Sequence, residues 1–274
     1  MFDVTSLLPP EFAPPPFEPG WVWIAGAGPG DPGLLTLNTL YGLRTADVVL
    51  HDALIDPRVL SLAGPRARVI LTGKRGGRAS CRQEDICALM VAEARSGRRV
   101  LRLKGGDPMM FGRGAEEIFA LVAAGIRFRV IPGVSAGLGG LAYAGIPLTC
   151  RGVNEAVTFL TGHDIRGRVP ELNWEALAQG SPVLVLFMAL RNLHAIVPRL
   201  LAAGRRPDEA VAFVRNATGP EQEVIETTLD RAVAVAAGVE PPALVVVGEV
   251  VRLRATLDWL DPRDGQPRPP AAAP

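Results

Sequence analysis

The chain is poor in the residues that build covalent and metal frameworks. Its three cysteines, Cys81, Cys87 and Cys150, form no CxxC pair among 274 residues. A disulfide scaffold is therefore not expected, and the thiols read as free in a reducing compartment. Three histidines offer no basis for a multi-histidine metal site, and no metal is expected. Aromatic residues make up 5% of the chain, and Trp21, Trp23, Trp174 and Trp259 form no stacking array, so they read as packing residues. An excess of one charge is also missing. Lys and Arg number 29 against 28 Asp and Glu, interspersed, for a net charge of +1. That argues against a nucleic-acid coat or a membrane-surface protein. It leaves room for an anionic small molecule, because a few arginines gathered in one cleft keep the net charge near zero. Apolar runs are short: 183–190 and 243–247 are strand-sized, so no membrane span is expected. The opening MFDVTSLLPPEF lacks a basic region followed by an apolar stretch, so no secretory signal is expected and a cytoplasmic location is.

What is present is a chain with 48% hydrophobic residues, enough for one large core or two medium ones. Proline-rich stretches at 9–20 and 261–274 predict poorly ordered tails. Between them, strand-like runs alternate with helical ones. The first half predicts strands at 22–25, 48–51, 68–72, 100–103 and 128–131, with helices at 83–96, stopped by Gly97, and 115–124, stopped by Gly125. The second half predicts strands at 156–160, 183–188, 210–214, 224–228 and 244–247, and a helix at 193–203. Such alternation implies an α/β fold of two domains, with a mostly parallel N-terminal sheet. Strands follow closely near 224–229 and 243–251, so the C-terminal sheet is expected to be mixed. The expected layout is a tail at 1–20, domains at 21–132 and 133–260 joined near Gly133, and a tail at 261–274.

Three glycine-rich loops each follow a predicted strand: GAGPGDP at 26–32, KGGDP at 104–108 and PGVSAG at 132–137. In open α/β sheets, ligands bind beyond the carboxyl ends of strands, where glycine admits positive φ and lets a ligand touch backbone. A dinucleotide fold is the rival reading. Gly26-x-Gly28 opens like its fingerprint, and Asp47 or Asp52 follows at a suitable distance. Yet Asp31 stands at the third glycine position, and Pro29 and Pro32 remove backbone donors that a pyrophosphate needs. A Walker loop is absent. The pattern therefore predicts an adenosyl ligand without phosphates, and S-adenosylmethionine fits, with a cationic sulfonium and ribose hydroxyls suited to backbone carbonyls and Asp107.

The run GAGPGDPGLL at 26–35 resembles the N-terminal signature of the tetrapyrrole methylases. LRLKGGDPMMFGRGAEE at 101–117, PGVSAGLGGLAYAGIPLTCR at 132–151 and VTFLTGHD at 157–164 resemble the subgroup of that family that methylates uroporphyrinogen III. Departures from the pattern are Met109, Met110, Ala115, Ser135 and Cys150. The resemblance implies a two-domain fold with a cleft between the domains. It implies two methylations, at C2 and C7, giving precorrin-2 by way of precorrin-1, with S-adenosyl-L-homocysteine as coproduct. It further implies a homodimer in a pathway to cobalamin, siroheme or related tetrapyrroles. Carried over by motif, the cofactor contacts are Pro29, Gly105, Gly106, Asp107, Met110, Ser135, Ala136, Met188 and Ala217. Asp52 is implied as proton acceptor and Lys74 as proton donor, while Arg113, Glu116 and Arg151 handle substrate. The length leaves no room for an appended dehydrogenase or ferrochelatase domain, so the multifunctional siroheme synthases are not expected.

Taken from their neighbours alone, several of these residues admit a plainer role. Arg113 and Arg151 suit the eight carboxylates of a uroporphyrinogen, because guanidinium binds carboxylate in two-point fashion, or they are surface salt-bridge residues. Glu116 contacts substrate or pairs with Arg113, three residues earlier on a helix start. Asp52, ending VVLHD, accepts the proton that a methylated pyrrole must lose, or is a turn or helix-capping acid. Lys74 donates a proton, pairs with substrate or is an exposed cation. Met188 lies against cofactor or fills core. His51 and His163 read as hydrogen-bonded rather than catalytic.

Overall fold

The computed structural model describes residues 13–73 and 82–260. The fold divides into two compact units, the first ending at Ser135 and the second beginning at Ala136. The division falls after Ser135 rather than before Gly133, because Gly133 packs on Gly26 and donates its N–H to Asp107 of the first unit at 3.0 Å.

The first unit runs β1 (Val22–Gly26), α1 (Leu37–Thr45), β2 (Val48–His51), α2 (Pro57–Leu60), β3 (Arg68–Leu71), α3 (Gln83–Arg95), β4 (Val100–Lys104), α4 (Gly114–Ala123) and β5 (Phe128–Ile131). All five strands are parallel, in the order β3-β2-β4-β1-β5. Side chains alternate between two apolar layers, as a strand requires. Trp23, Ala25, Val49, Leu101 and Leu103 face one layer, while Val22, Ile24, Val48, Leu50 and Val100 face the other, against Met90 and Ala94 of α3 and Leu121 of α4. Arg102 and Lys104, by the same alternation, fall on this second, helix-covered face.

The second unit runs α5 (Ala136–Tyr143), β6 (Thr158–Thr161), α6 (Trp174–Gly180), β7 (Leu184–Phe187), α7 (Leu193–Ala202), β8 (Ala210–Arg215), β9 (Glu223–Thr228), α8 (Ala232–Ala236), β10 (Ala243–Val247) and α9 (Arg254–Leu257). Its sheet is mixed, in the order β6-β7-β10-β8-β9, with β6 parallel to β7 and the remaining pairs antiparallel. Both β7 and β8 run against β10, so the turns that follow them lie along the same edge of this sheet.

Two expectations change. Residues 136–137, expected as the end of a glycine loop, begin α5. Its glycines are packing devices: a Cβ on Gly137 would stand 2.7 Å from the Phe159 ring and 2.9 Å from that of Phe187, so glycine lets the helix lie directly on the sheet. The stretch expected as a tail through Gly20 is anchored at its end. Phe17 is 4% exposed and stacks on Trp23 with centroids 4.4 Å apart, and Arg99 Nε donates to its carbonyl. An aromatic side chain with an apolar wall to cover outweighs the proline-rich composition around it. The rest of the expected tails, 1–12 and 261–274, lies outside the described residues. Cys87 and Cys150 are free thiols, and burial pushes the Cys87 thiol up. Among the described residues no helix is long and apolar enough to cross a membrane.

Candidate active site

Adjacency of β4, β1 and β5 sets the three glycine loops side by side at the carboxyl edge of the first sheet. Their backbones touch. Gly28 and Gly106 exchange hydrogen bonds, at 3.2 Å from the Gly28 N–H and 2.8 Å from the Gly106 N–H, and the Ala27 N–H donates to the Lys104 carbonyl at 2.7 Å. A Cβ on Gly26 or Gly133 would stand 2.4 or 2.3 Å from the Gly106 carbonyl oxygen, so only glycine permits this approach. Thr39 of α1 braces the first loop by donating to the Gly26 carbonyl at 3.1 Å. Asp107 joins the second and third loops: one carboxylate oxygen accepts from the Met109 N–H at 2.8 Å, the other from the Gly133 N–H. The Met110 N–H closes a turn on the Asp107 carbonyl. Gly105 stands apart, exposed, with open space where a Cβ would go.

This bonding tests the ligand class. An anion-binding loop offers free N–H groups. Here Ala27, Gly28, Gly106, Met109, Met110 and Gly133 have given theirs to carbonyls or to Asp107, and the Gly33 N–H goes to the Asp31 carboxylate at 2.8 Å. Much of the loops' donor capacity is thus spent inside the loops, while the Asp31 and Asp107 carboxylates stand among them. Two carboxylates at this edge disfavour an anionic group beside them and favour a cationic one.

Beside these loops lies a charged cluster that the sequence reading missed. Glu117 of α4 is fully buried, and its Oε1 accepts from Arg102 Nε, Lys104 Nζ and Gln83 Nε2, each at 3.0 Å. Arg102 and Lys104 are 1% and 3% exposed. Arg102 reaches on to bond the Asp52 carboxylate, and Lys104 Nζ lies 3.7 Å from that group's other oxygen. Asp52, just past β2, is thus no isolated turn acid. Two charges at alternate positions of an otherwise apolar strand, VLRLK, were the available signal. Lys74 lies outside the described residues. His51 is buried with Nδ1 on the Asp52 carbonyl at 2.9 Å, and His163 makes the same contact with the Asp164 carbonyl.

Arg113 takes left-handed backbone, φ 58°, to cap α4. Its guanidinium forks onto Glu116 at 2.9 and 2.6 Å with both side chains exposed. The hydrogen bond from Arg113 holds the Glu116 carboxyl below the usual carboxylate range and raises the guanidinium in turn. Gly112 and Gly114 make the preceding turn possible, since a Cβ at either would meet the Pro108 carbonyl oxygen at 2.8 or 2.4 Å.

In the second unit, Arg151 is exposed and its guanidinium has no hydrogen bond or ion pair among the described residues. It sits in a turn held by buried Asn154, which accepts from the Cys150 N–H and donates to the Leu148 and Ala156 carbonyls. Met188, just past β7, has φ 54° and is 46% exposed, so it is not core filling. Ala217 lies past β8 between Asn216 and Thr218, both with positive φ. Its side chain occupies the space that a Cβ on Gly140 of α5 would need, 2.7 Å away. Ser135 is buried at the end of the third loop, and Ala136 opens α5.

A parallel sheet with three close-packed glycine loops at its carboxyl edge, followed by a mixed α/β unit, defines an α/β protein with a candidate ligand site at that edge. The family model "Tetrapyrrole (Corrin/Porphyrin) Methylases" matches residues 22–233, and the chain belongs to that family. It is 59% identical over 255 residues to a uroporphyrinogen-III C-methyltransferase of Sinorhizobium sp, covering 92% of this chain and 91% of that one. It is 48% identical over 243 residues to a siroheme synthase of Acinetobacter baylyi, covering 88% of this chain but 53% of that protein, so the chain spans about half the length of such relatives. Among solved structures, a uroporphyrin-III C-methyl transferase from Thermus thermophilus complexed with S-adenosyl homocysteine superposes with a TM-score of 0.75 at 40% identity, covering 85% of this chain and 99% of that one.

Proposed function

We propose that the chain is a uroporphyrinogen-III C-methyltransferase that places methyl groups on C2 and C7 of uroporphyrinogen III, giving precorrin-2 through precorrin-1. The observation that carries this reading is the 59% identity to the Sinorhizobium enzyme over nearly the full length of both chains. The Asp31 and Asp107 carboxylates among the glycine loops support it. S-adenosylmethionine, when bound, supplies an electrophilic methyl on a sulfonium.

The chain's own residues bind, orient and handle charge. In this reading Pro29, Gly105, Gly106, Asp107, Met110, Ser135, Ala136, Met188 and Ala217 hold the cofactor. Positioning accounts for most of such a reaction, because a pyrrole carbon is already nucleophilic. Arg151, unpaired among the described residues, is ready to take a substrate carboxylate. Arg113 must exchange Glu116 for one or hold both. Asp52 serves the proton that leaves the methylated ring, with Lys74 as its counterpart donor. The free thiols fit a reducing, cytoplasmic setting.

Anaerobically prepared uroporphyrinogen III and S-adenosylmethionine, incubated with the protein, should yield a product whose mass has risen by two CH2 units, since each methyl gained is matched by a proton lost. Calorimetry should detect S-adenosylhomocysteine and not NAD. A protein that binds the former yet releases no methylated product would be a binding module, and the reading would fall.

A further inference from the structure

We infer that Lys104, with Arg102 and Glu117, is a positioning residue for the reaction: the three form a buried charge cluster that orients the Asp52 carboxylate at the carboxyl edge of the first sheet. The inference rests on the methyltransferase reading and on Asp52 acting in its site.

β4 lies inside a parallel sheet covered on both faces, where strands ordinarily carry continuous apolar residues. Arg102 and Lys104 occupy the face that Val100 shares with Met90, Ala94 and Leu121. Apolar side chains of similar volume there would hold the fold at least as well, because burying ions carries a desolvation penalty that pairing at best repays. Stability alone therefore does not account for the cluster. Its geometry supplies a reason. Gln83, Arg102 and Lys104 all donate to Glu117; Arg102 also bonds Asp52, and Lys104 Nζ lies 3.7 Å from the same carboxylate. Side-chain exposure is 0% at Glu117, 2% at Arg102 and 3% at Lys104, then 33% at Asp52. Asp52 is the one charged member that reaches the surface.

Each Asp52 oxygen has its own cation, Oδ1 with Arg102 Nη2 and Oδ2 with Lys104 Nζ. Both cations are pinned from behind by a single Glu117 oxygen, and Arg102 also donates to the Leu50 and Leu103 carbonyls. The Asp52 N–H donates to the Leu103 carbonyl, tying its backbone to the same strand. The carboxylate is thus held by one hydrogen bond from Arg102 and flanked on its other oxygen by the Lys104 ammonium at 3.7 Å. Two cations balance two carboxylates, so removing any one leaves a net charge in the interior. Lys104 also carries the carbonyl that receives the Ala27 N–H and directly precedes Gly105 and Gly106. The same residue therefore sets the acid and the loop in register.

The test is a double-mutant cycle on the full chain. Lys104→Met should lower kcat roughly 10- to 100-fold, the scale of a misplaced reacting group, while KM and S-adenosylhomocysteine affinity change little. In an Asp52→Asn background the same substitution should change kcat by less than about threefold, because a residue acting through Asp52 has nothing left to orient. Removing one buried charge can unfold the protein, so Lys104→Met combined with Glu117→Gln is measured beside it. That pair keeps the cluster neutral and should melt as the native protein does while remaining as slow as Lys104→Met. A folded variant with native kcat, or an equal loss of kcat in the Asp52→Asn background, would overturn the inference while leaving the methyltransferase reading intact. Failure of the unmutated protein to make methylated product is a separate result that removes both.

Discussion

At the scale of single residues, Met188 shows how local strain and ligand chemistry meet. Left-handed backbone costs a non-glycine residue about 1–2 kcal/mol, and strained backbone concentrates at functional sites. With 46% of its surface exposed, the Met188 side chain gains little from packing in return. Met188→Gly should therefore raise the melting temperature by a few degrees, since about 1 kcal/mol shifts Tm by ~2–4 °C in a chain of this size. It should at the same time weaken S-adenosylhomocysteine binding on calorimetry. A variant that is more stable and binds as before would show that Met188 does not face the cofactor. Arg113 and Glu116 show the opposite economy: an exposed i,i+3 pair contributes little to stability, which leaves its charges available for exchange with substrate.

At the scale of elements, the glycine loops divide into two kinds. Gly26 and Gly133 are glycine because neighbouring backbone allows nothing larger, whereas Gly105 has open space around its Cβ position. Gly133→Ala should thus destabilise the fold by about 1–3 kcal/mol, the usual cost of overpacking, with a lowered Tm. Gly105→Ala should leave Tm unchanged and, on the proposed cofactor contact at this residue, weaken cofactor binding, because the added methyl enters open space at the loop surface. Reversed outcomes would mean that Gly105 turns away from the ligand. Elements were also the level at which sequence patterns read best. Strands 48–51 and 128–131 match in both bounds, and most others lie within one or two residues, because alternation and glycine stops are local signals. Helix α5 escaped notice because AGLGGLAY has a loop's composition. Its glycines serve contact with Phe159, Phe187 and Ala217, which lie far along the chain.

For the whole molecule, likeness to the family carries the expectation of a symmetric homodimer built on self-complementary surfaces. Light scattering at micromolar concentration should give twice the 29.0 kDa chain mass; a monomer would contradict it.

The sequence by itself determined the α/β class, the two units, the places of the glycine loops and the choice of a phosphate-free adenosyl ligand. Each of these follows from local spacing: apolar periodicity, glycine after strands, and Asp31 with two prolines where a pyrophosphate would need donors. Only the tertiary structure decided that β4, β1 and β5 stand together, that Asp107 binds one loop to another, that Phe17 is held on Trp23, and that Lys104 and Arg102 turn inward to Asp52 and Glu117. Strand order and buried pairing depend on residues distant in the chain, and a charge in a strand reads as solvent-facing until the layer packed over it is known.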